Sequence, residues 1–176
     1  DMTIEQASEF MEELTEGSLN DAQVAAFLAA IQTKGVCPEE IAGCARVLQR
    51  KRLGIDTGGS AIDTCGTGGD GKGTFNISSL SALVASAAGA KVAKHGNRAV
   101  SSLSGSAEFY SAMGLEINLT PEQAQAAFAE NDFVFLFAPV YHSAMRFAAP
   151  ARRAMGIKTI MNLVGPLVNP AGTEYQ

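Results

Sequence analysis

The stretch with the greatest capacity for chemistry runs from Asp63 to Ser106. Five glycines fall within the eight positions from Gly66 to Gly73. Such a run has no side chains to bury and cannot build a core. Its use is to bring backbone amides close to a ligand, at φ angles other residues avoid. It leads into Asn76-Ile77-Ser78-Ser79, which reads as the hydroxyl-bearing first turn of a helix. A helix N-terminus offers unpaired N–H groups and partial positive charge, which suit phosphate. No Asp or Glu occurs between Asp70 and Glu108, while Lys72, Lys91, Lys94 and Arg98 all do. A carboxylate left unpaired beside bound phosphate costs Coulomb energy, so this window suits a multiply charged anion.

Two common phosphate motifs nearly fit. Gly66-Thr67-Gly68-Gly69-Asp70-Gly71 satisfies G-x-G-x-x-G, but a dinucleotide site wants an acid about twenty residues further on. Lys94-His95 stands there instead, which excludes NAD and leaves NADP little support. Gly66 to Lys72 also fits G-x-x-x-x-G-K, yet Gly73 replaces the Ser/Thr that follows in a nucleotide P-loop, and the helix starts too late, near Asn76.

The elements that must position this stretch follow from pattern. Residues 3–16 predict a helix with Thr3 and Gln6 as a capping box; Asn20 and Gln23 predict a second, ended by Gly35; Pro38 opens a third, to about Leu53. Gly54 to Ser60 reads as a hinge. Strands are then expected at Ala61–Cys65, Lys91–Lys94, Phe133–Phe137 and Lys158–Asn162. Helices are expected at Asn76–Gly89, Gly105–Gly114, Thr120–Asn131 and His142–Met155, the last broken before Pro150. The fold class is α/β: a small N-terminal all-α segment, residues 1–56, plus a mostly parallel sheet with helices on its faces, residues 61–176. Ligands in such folds sit at the carboxyl ends of the strands, so the loops after Cys65, Lys94, Phe137 and Asn162 are expected to share a cleft. A second acid-free window, between Asp132 and Glu174, holds Arg146, Arg152, Arg153 and Lys158. These are either solvated helix charges or, for at least one arginine facing the cleft, a fork for a carboxylate.

Composition bounds the rest. The 176 residues carry a net charge of -5 and a mean hydropathy of +0.10, which fit a globular protein. Residues 1–60 hold ten acids against five bases and residues 61–176 hold eight of each, which argues against nucleic acid as a partner. Cys37, Cys44 and Cys65 form no C-x-x-C pair and read as reduced thiols, as in a cytoplasm. No stretch reaches eighteen apolar residues, so no membrane span is expected. The chain opens at Asp1 rather than Met, and a fragment of a longer protein is the expectation.

Several stretches together carry a specific resemblance. Gly66-Thr67-Gly68-Gly69-Asp70, Thr74-Phe75-Asn76-Ile77-Ser78, Lys94-His95-Gly96-Asn97-Arg98, Ser101-Ser102 with Ser104-Gly105-Ser106, Ala151-Arg152-Arg153, and Gly165-Pro166-Leu167 with Asn169-Pro170 resemble the anthranilate phosphoribosyltransferase family, in the family's order and almost from end to end. That family moves a phosphoribosyl group from 5-phosphoribosyl-1-pyrophosphate (PRPP) to the amine of anthranilate in tryptophan biosynthesis, releasing pyrophosphate. The resemblance implies that Gly66, Gly69 and Asp70 line the pyrophosphate and ribose. It implies that Thr74, Asn76, Ile77, Ser78 and Ser79 hold phosphates, with Ser78 also a ligand of Mg2+. Lys94, His95, Gly96, Asn97, Arg98, Ala99, Val100, Ser101 and Ser102, with Ser106, would complete the phosphoribosyl site. Asn97 and Arg152 would bind anthranilate.

The resemblance further implies a homodimer built through the helical leader, for which exposed apolar positions such as Phe10 and Leu14 are expected. It implies a chain that continues past Gln176, with an acidic Asp-Glu pair for magnesium in that region and a sheet truncated here. Glu108 stands where the family usually has Asp, and Phe109-Tyr110 replaces smaller aliphatics; little effect is expected. No acid–base pair is evident, so catalysis would come from positioning, by Lys94, Asn97 and Arg152, and from stabilising the leaving charge. His95 is either a proton acceptor or a packing residue, and His142 either faces anthranilate or fills a helix surface. Cys65 reads as structural, since no base accompanies it. The alternatives are a pyrimidine-nucleoside-phosphorylase-like enzyme, which would bind free phosphate, and a non-catalytic nucleic-acid-binding relative.

Overall fold

The structure, a computed structural model, describes residues 1–68, 75–99 and 104–176. They divide into two units, Asp1–Arg52 with His142–Val168, and Leu53–Tyr141 with Asn169–Gln176.

The first unit is helical. α1 (Ile4–Glu16) and α2 (Asp21–Lys34) begin on capping boxes, Thr3 with Gln6 and Asn20 with Gln23, each pair exchanging two hydrogen bonds of 3.0–3.3 Å. α3 (Pro38–Lys51) starts on Pro38, with Glu40 accepting the amide of Cys37 at 3.1 Å. The caps act locally and so are readable from spacing alone. Gly43 lets α3 approach α1: a Cβ there would lie 2.5 Å from the Ile4 carbonyl oxygen. Phe10 and Leu14 are buried in the core of this unit with Met11, Val24, Leu28, Val47 and Leu48. Phe10 stacks on Phe27 with ring centroids 3.5 Å apart. The expectation that Phe10 and Leu14 are exposed is therefore corrected; the leader's own helices cover them.

His142–Val168, read from the sequence with the α/β part, packs with this helical unit. The helix expected over His142–Met155 is broken before Pro150, as expected, at Ala148, but the part before the break is a 3₁₀ turn at Ser143–Phe147, and α8 (Ala149–Met155) follows. Lys158–Asn162 is not a strand. The Thr159 hydroxyl accepts the amide of Met161 at 3.3 Å and the Asn162 side chain accepts that of Thr159 at 3.0 Å, which closes a 3₁₀ turn over Ile160–Asn162. Short polar side chains compete with the ladder for backbone groups, and here they win. Asn162 therefore ends no strand. Ile160 and Met161 instead fill the helical core.

The second unit holds the sheet. β1 (Val92–Gly96) and β2 (Phe133–Phe137) pair in parallel, Val92 opposite Phe133 and Gly96 opposite Phe137. The apolar run of β2 is covered on both faces, as expected. Val134 and Leu136 pack with Ala124 and Phe128 of α6 (Pro121–Asn131), while Phe135 and Phe137 pack with Tyr110 of α5 (Ser106–Ala112). α4 (Ile77–Ala87) adds Leu83 to the second face. A four-residue α7 (Ala138–Tyr141) follows β2 directly. On the other side of β1, Ile62 makes a single parallel bridge to Val92 and another to Tyr175. The strand expected over Ala61–Cys65 is thus reduced to one bridged residue.

Candidate functional site

The ladder beside β1 stops at Asp63 because that side chain captures the amides that would continue it. Asp63 Oδ1 accepts the amide of Cys65 at 3.0 Å and that of His95 at 3.1 Å. Its Oδ2 accepts from the Asn169 side chain at 2.8 Å. The carboxylate is only 2% exposed. Burial raises its pKa, against the opposing pull of the Lys94 charge and of these hydrogen bonds. Lys94, expected at the end of its strand, is instead the third of the five residues of β1; it is 1% exposed and turns its ammonium onto the carbonyl of His95 at 2.7 Å. Burial likewise pushes the Cys65 thiol up to about 11, although Lys94 pulls it down, so Cys65 stays protonated and is no nucleophile at neutral pH.

The chain then leaves the sheet. Thr64 donates its hydroxyl to the carbonyl of Ser78 at 2.7 Å, which ties the start of the glycine run to the first turn of α4. Asn76 caps that helix by accepting the amide of Ser79 at 3.1 Å. Ser79 is buried, and its carbonyl accepts the phenol of Tyr110 at 3.0 Å. Ile77 and the neighbouring Phe75 are exposed. Gly66 stands on the described side of the loop, with open space around it. Gly69, Asp70 and Thr74, expected to line the pyrophosphate or hold phosphate, lie outside the described residues, as do Lys72, Val100, Ser101 and Ser102.

Past β1, Gly96 is packed so tightly that a Cβ would lie 2.8 Å from the ring of Phe135 and from Ser106. Asn97 accepts the amide of Ala107 on its carbonyl at 3.2 Å and caps Arg98 with its side chain at 2.7 Å. Glu108 Oε2 accepts the amides of both Ala99, at 3.1 Å, and Gly105, at 3.0 Å. Burial would raise this carboxyl, but those amides and Arg98 hold it below the usual range. Glu108, Phe109 and Tyr110, expected to have little effect, all carry contacts: Glu108 joins the loop ends, Tyr110 fills the space against Phe133 and Phe135, and Phe109 meets Tyr110 edge-on.

The positive window is more paired than its composition suggests. Lys91 bridges Asp132 at 3.2 Å at the far end of β1, and Arg98 lies 3.4 Å from Glu108 and over the ring of Phe137. Lys94, by contrast, is buried in the middle of β1. Arg152 sits on α8 of the helical unit, with its pKa lowered by burial, while Arg153 is exposed. His142, in that same unit, is buried and donates Nε2–H to the carbonyl of Val168 at 2.9 Å. His95 is 3% exposed.

Magnesium takes oxygen ligands, keeps several waters and is commonly held through substrate phosphates. Among the described residues the hydroxyl of Ser78 stands half-buried in the first turn of α4. Asp63, Cys65 and His95 bring three ligand atoms within 4.8 Å of one another. That trio suits a hard cation poorly, since the thiol is protonated, Lys94 adds positive charge and the carboxylate already accepts three hydrogen bonds. The hydroxyl of Ser78 is an oxygen donor of the kind a magnesium ion held chiefly by phosphate oxygens accepts.

Asp63, Asn169 and Glu108 organise these loops, a role that residue type and spacing do not reveal. Their signal was available only in part, since Asp63 opens the reactive stretch and Asn169 lies in a matching one.

Comparison with known proteins follows the same lines. Residues 58–176 match the α/β domain model of the glycosyl transferase family, and residues 1–51 match its helical bundle domain. The chain is 49% identical over 175 residues to an anthranilate phosphoribosyltransferase of Dehalococcoides mccartyi, covering 99% of this chain and 51% of that protein. It is similar to the crystal structure of anthranilate phosphoribosyltransferase from Thermus thermophilus, with a TM-score of 0.90 and 45% identity over 97% of this chain and 52% of that one. It is also similar to the Saccharomyces cerevisiae enzyme in complex with PRPP and Mg, with a TM-score of 0.78 and 34% identity over 85% and 43% of the two chains. The chain spans about half the length of the curated relatives it matches.

Proposed function

The chain belongs to the glycosyl transferase family, and on that premise we propose that this protein transfers the phosphoribosyl group of PRPP to the amine of anthranilate, releasing pyrophosphate. The observation that carries the reading is the joining of three segments in one unit. The start of the glycine run, the first turn of α4 and the C-terminal half of β1 at His95, next to Lys94, are tied together through Thr64–Ser78 and Asp63–His95. The relative that holds PRPP and magnesium supports the choice of donor.

In this reading Gly66, Gly69 and Asp70 line the pyrophosphate and ribose. Thr74, Asn76, Ser78 and Ser79 hold phosphates, and the segment from Lys94 to Ser102 with Ser106 completes the site. Breaking the anomeric C–O bond leaves an oxocarbenium-like carbon and a departing pyrophosphate. Lys94 and the amides of the loop and helix start stabilise the leaving charge, and Asn97 and Arg152 orient anthranilate. Magnesium, when bound, neutralises pyrophosphate charge, with Ser78 as its protein ligand.

Along the sequence we assign residues 1–56 to the helical domain and 61–176 to the phosphoribosyl-binding domain, of which 142–168 belongs in space to the helical unit, with a homodimer formed through the helical domain. A groove of about 420 Å³ on this unit is lined by Met2, Phe10, Leu19 and Phe27 together with Gln6, Glu9, Glu13 and Gln23. A cytoplasmic location accords with three free cysteines. No helix among the described residues is long and apolar enough to cross a membrane.

The test is calorimetry with PRPP and magnesium, beside an assay for phosphoribosyl anthranilate. Binding of PRPP is expected. Turnover of thymidine with free phosphate in its place would move the protein to the phosphorylase class.

A further inference from the structure

In a parallel ladder each bridged residue bonds to two residues of its neighbour, and the pattern repeats every second residue. Ile62 obeys this: its amide donates to Lys91 O at 2.9 Å and its carbonyl accepts from Ala93 N at 3.0 Å. The next residue in register is Thr64, which should donate to Ala93 O and accept from His95 N. Neither bond forms. Ala93 O accepts instead from the side-chain amide of Asn169 at 2.8 Å, and His95 N donates instead to the carboxylate of Asp63 at 3.1 Å. The two substituting side chains are bonded to each other at 2.8 Å and are 4% and 2% exposed. Asn169 is fixed in turn by the amide of Ala171, 2.7 Å from its Oδ1.

We propose that Asp63 and Asn169 are positioning residues that together replace the peptide of Thr64 in the sheet, and so set the point at which the glycine loop leaves it. With its ladder partners supplied by side chains, Thr64 is free to turn away and reach the carbonyl of Ser78. The same pair holds β1 at the residue after Lys94. Both walls of the anion pocket therefore start from one buried contact between residues 106 positions apart. The inference rests on the phosphoribosyl reading above, since it assigns the pocket to PRPP.

The exchange variant Asp63→Asn/Asn169→Asp separates positioning from bulk stability. Alone, Asp63→Asn sets two amide groups donor to donor, and Asn169→Asp sets two carboxylates together. Combined, an amide at 63 can again donate to a carboxylate at 169, although the bond to Ala93 O stays lost. We measure PRPP affinity by calorimetry, thermal midpoint, and hydrogen exchange of the His95 amide in the parent chain, Asn169→Ala, Asp63→Asn and the exchange variant, all at a temperature where each is folded. Each single variant is expected to bind PRPP about tenfold or more weakly and to exchange the His95 amide faster, and the exchange variant to recover part of both. If Asp63→Asn fails to fold, Asn169→Ala carries the test. Folded variants that bind PRPP within about twofold of the parent overturn the positioning role while the function stands. A parent chain that binds no PRPP overturns both.

Discussion

Thr64 donates its hydroxyl to the carbonyl oxygen of Ser78 at 2.7 Å, across fourteen residues of chain that include the glycine run. One bond thus fixes the distance between the end of the sheet and the start of α4, the two places from which the intervening loop is held. Replacing Thr64 by Val keeps the shape and removes the donor. The expected result is a stability loss of about 1 kcal/mol in urea unfolding and weaker PRPP binding. Unaltered affinity for PRPP would show that the loop is placed without this bond.

Lys94 is a buried cation in the middle of β1, and Lys94→Met keeps most of its volume without its charge. PRPP affinity is expected to fall by about 1.5–3 kcal/mol, the range for a hydrogen bond to a charged group, with a shallower dependence on salt. Calorimetry at two ionic strengths measures both. An affinity that does not change at low salt counts against the anion site as a whole.

Arg152 lies on α8 of the helical unit. Its assignment to anthranilate predicts that Arg152→Ala weakens anthranilate binding by about 1.5–3 kcal/mol and leaves PRPP binding largely intact. Steady-state titration of each substrate against a saturating level of the other separates the two. Equal losses for both substrates remove Arg152 from the acceptor site.

Glu40 supplies a prediction about stability alone. Burial would raise its carboxyl, but the amides of Cys37 and Met2 and the ammonium of Lys34 outweigh burial and hold it at about 2. The folded value lies below the unfolded one, so the contribution is complete above the ordinary carboxylate range and is lost as pH falls towards 2. Glu40→Gln is expected to cost up to about 3 kcal/mol at pH 7 and progressively less below pH 4. Urea unfolding across that range checks it, and a pH-independent difference would mean the charge of Glu40 contributes nothing.

The parts of the fold legible in the sequence are those governed by neighbours along the chain. Thr3 with Gln6 and Asn20 with Gln23 form caps because three residues separate partners that one helical turn brings together. Phe133–Phe137 reads as a doubly covered strand because every side chain in it is apolar, and its alternate residues do enter two separate clusters. The glycine run and the hydroxyls of α4 lead to the proposal of an anion site for a similar reason, since residue type alone limits what such a segment can do.

What the sequence could not disclose was decided by contacts from far along the chain. Ala61–Cys65 has the composition of a strand, yet Asp63 and Asn169 end its ladder after one residue. Lys158–Asn162 has it too, yet Thr159 and Asn162 fold it into a turn whose apolar residues fill a helical core. Composition put four cations in the window after Asp70, but Asp132 and Glu108 engage two of them. The sequence by itself determined the helices, the covered strand and the chemical character of the loop, because caps, periodicity and glycine content act within a few residues. Only the tertiary structure decided where strands stop and which charges are already partnered, because a hydrogen-bonding group takes whichever partner lies nearest in space, whatever its place in the chain.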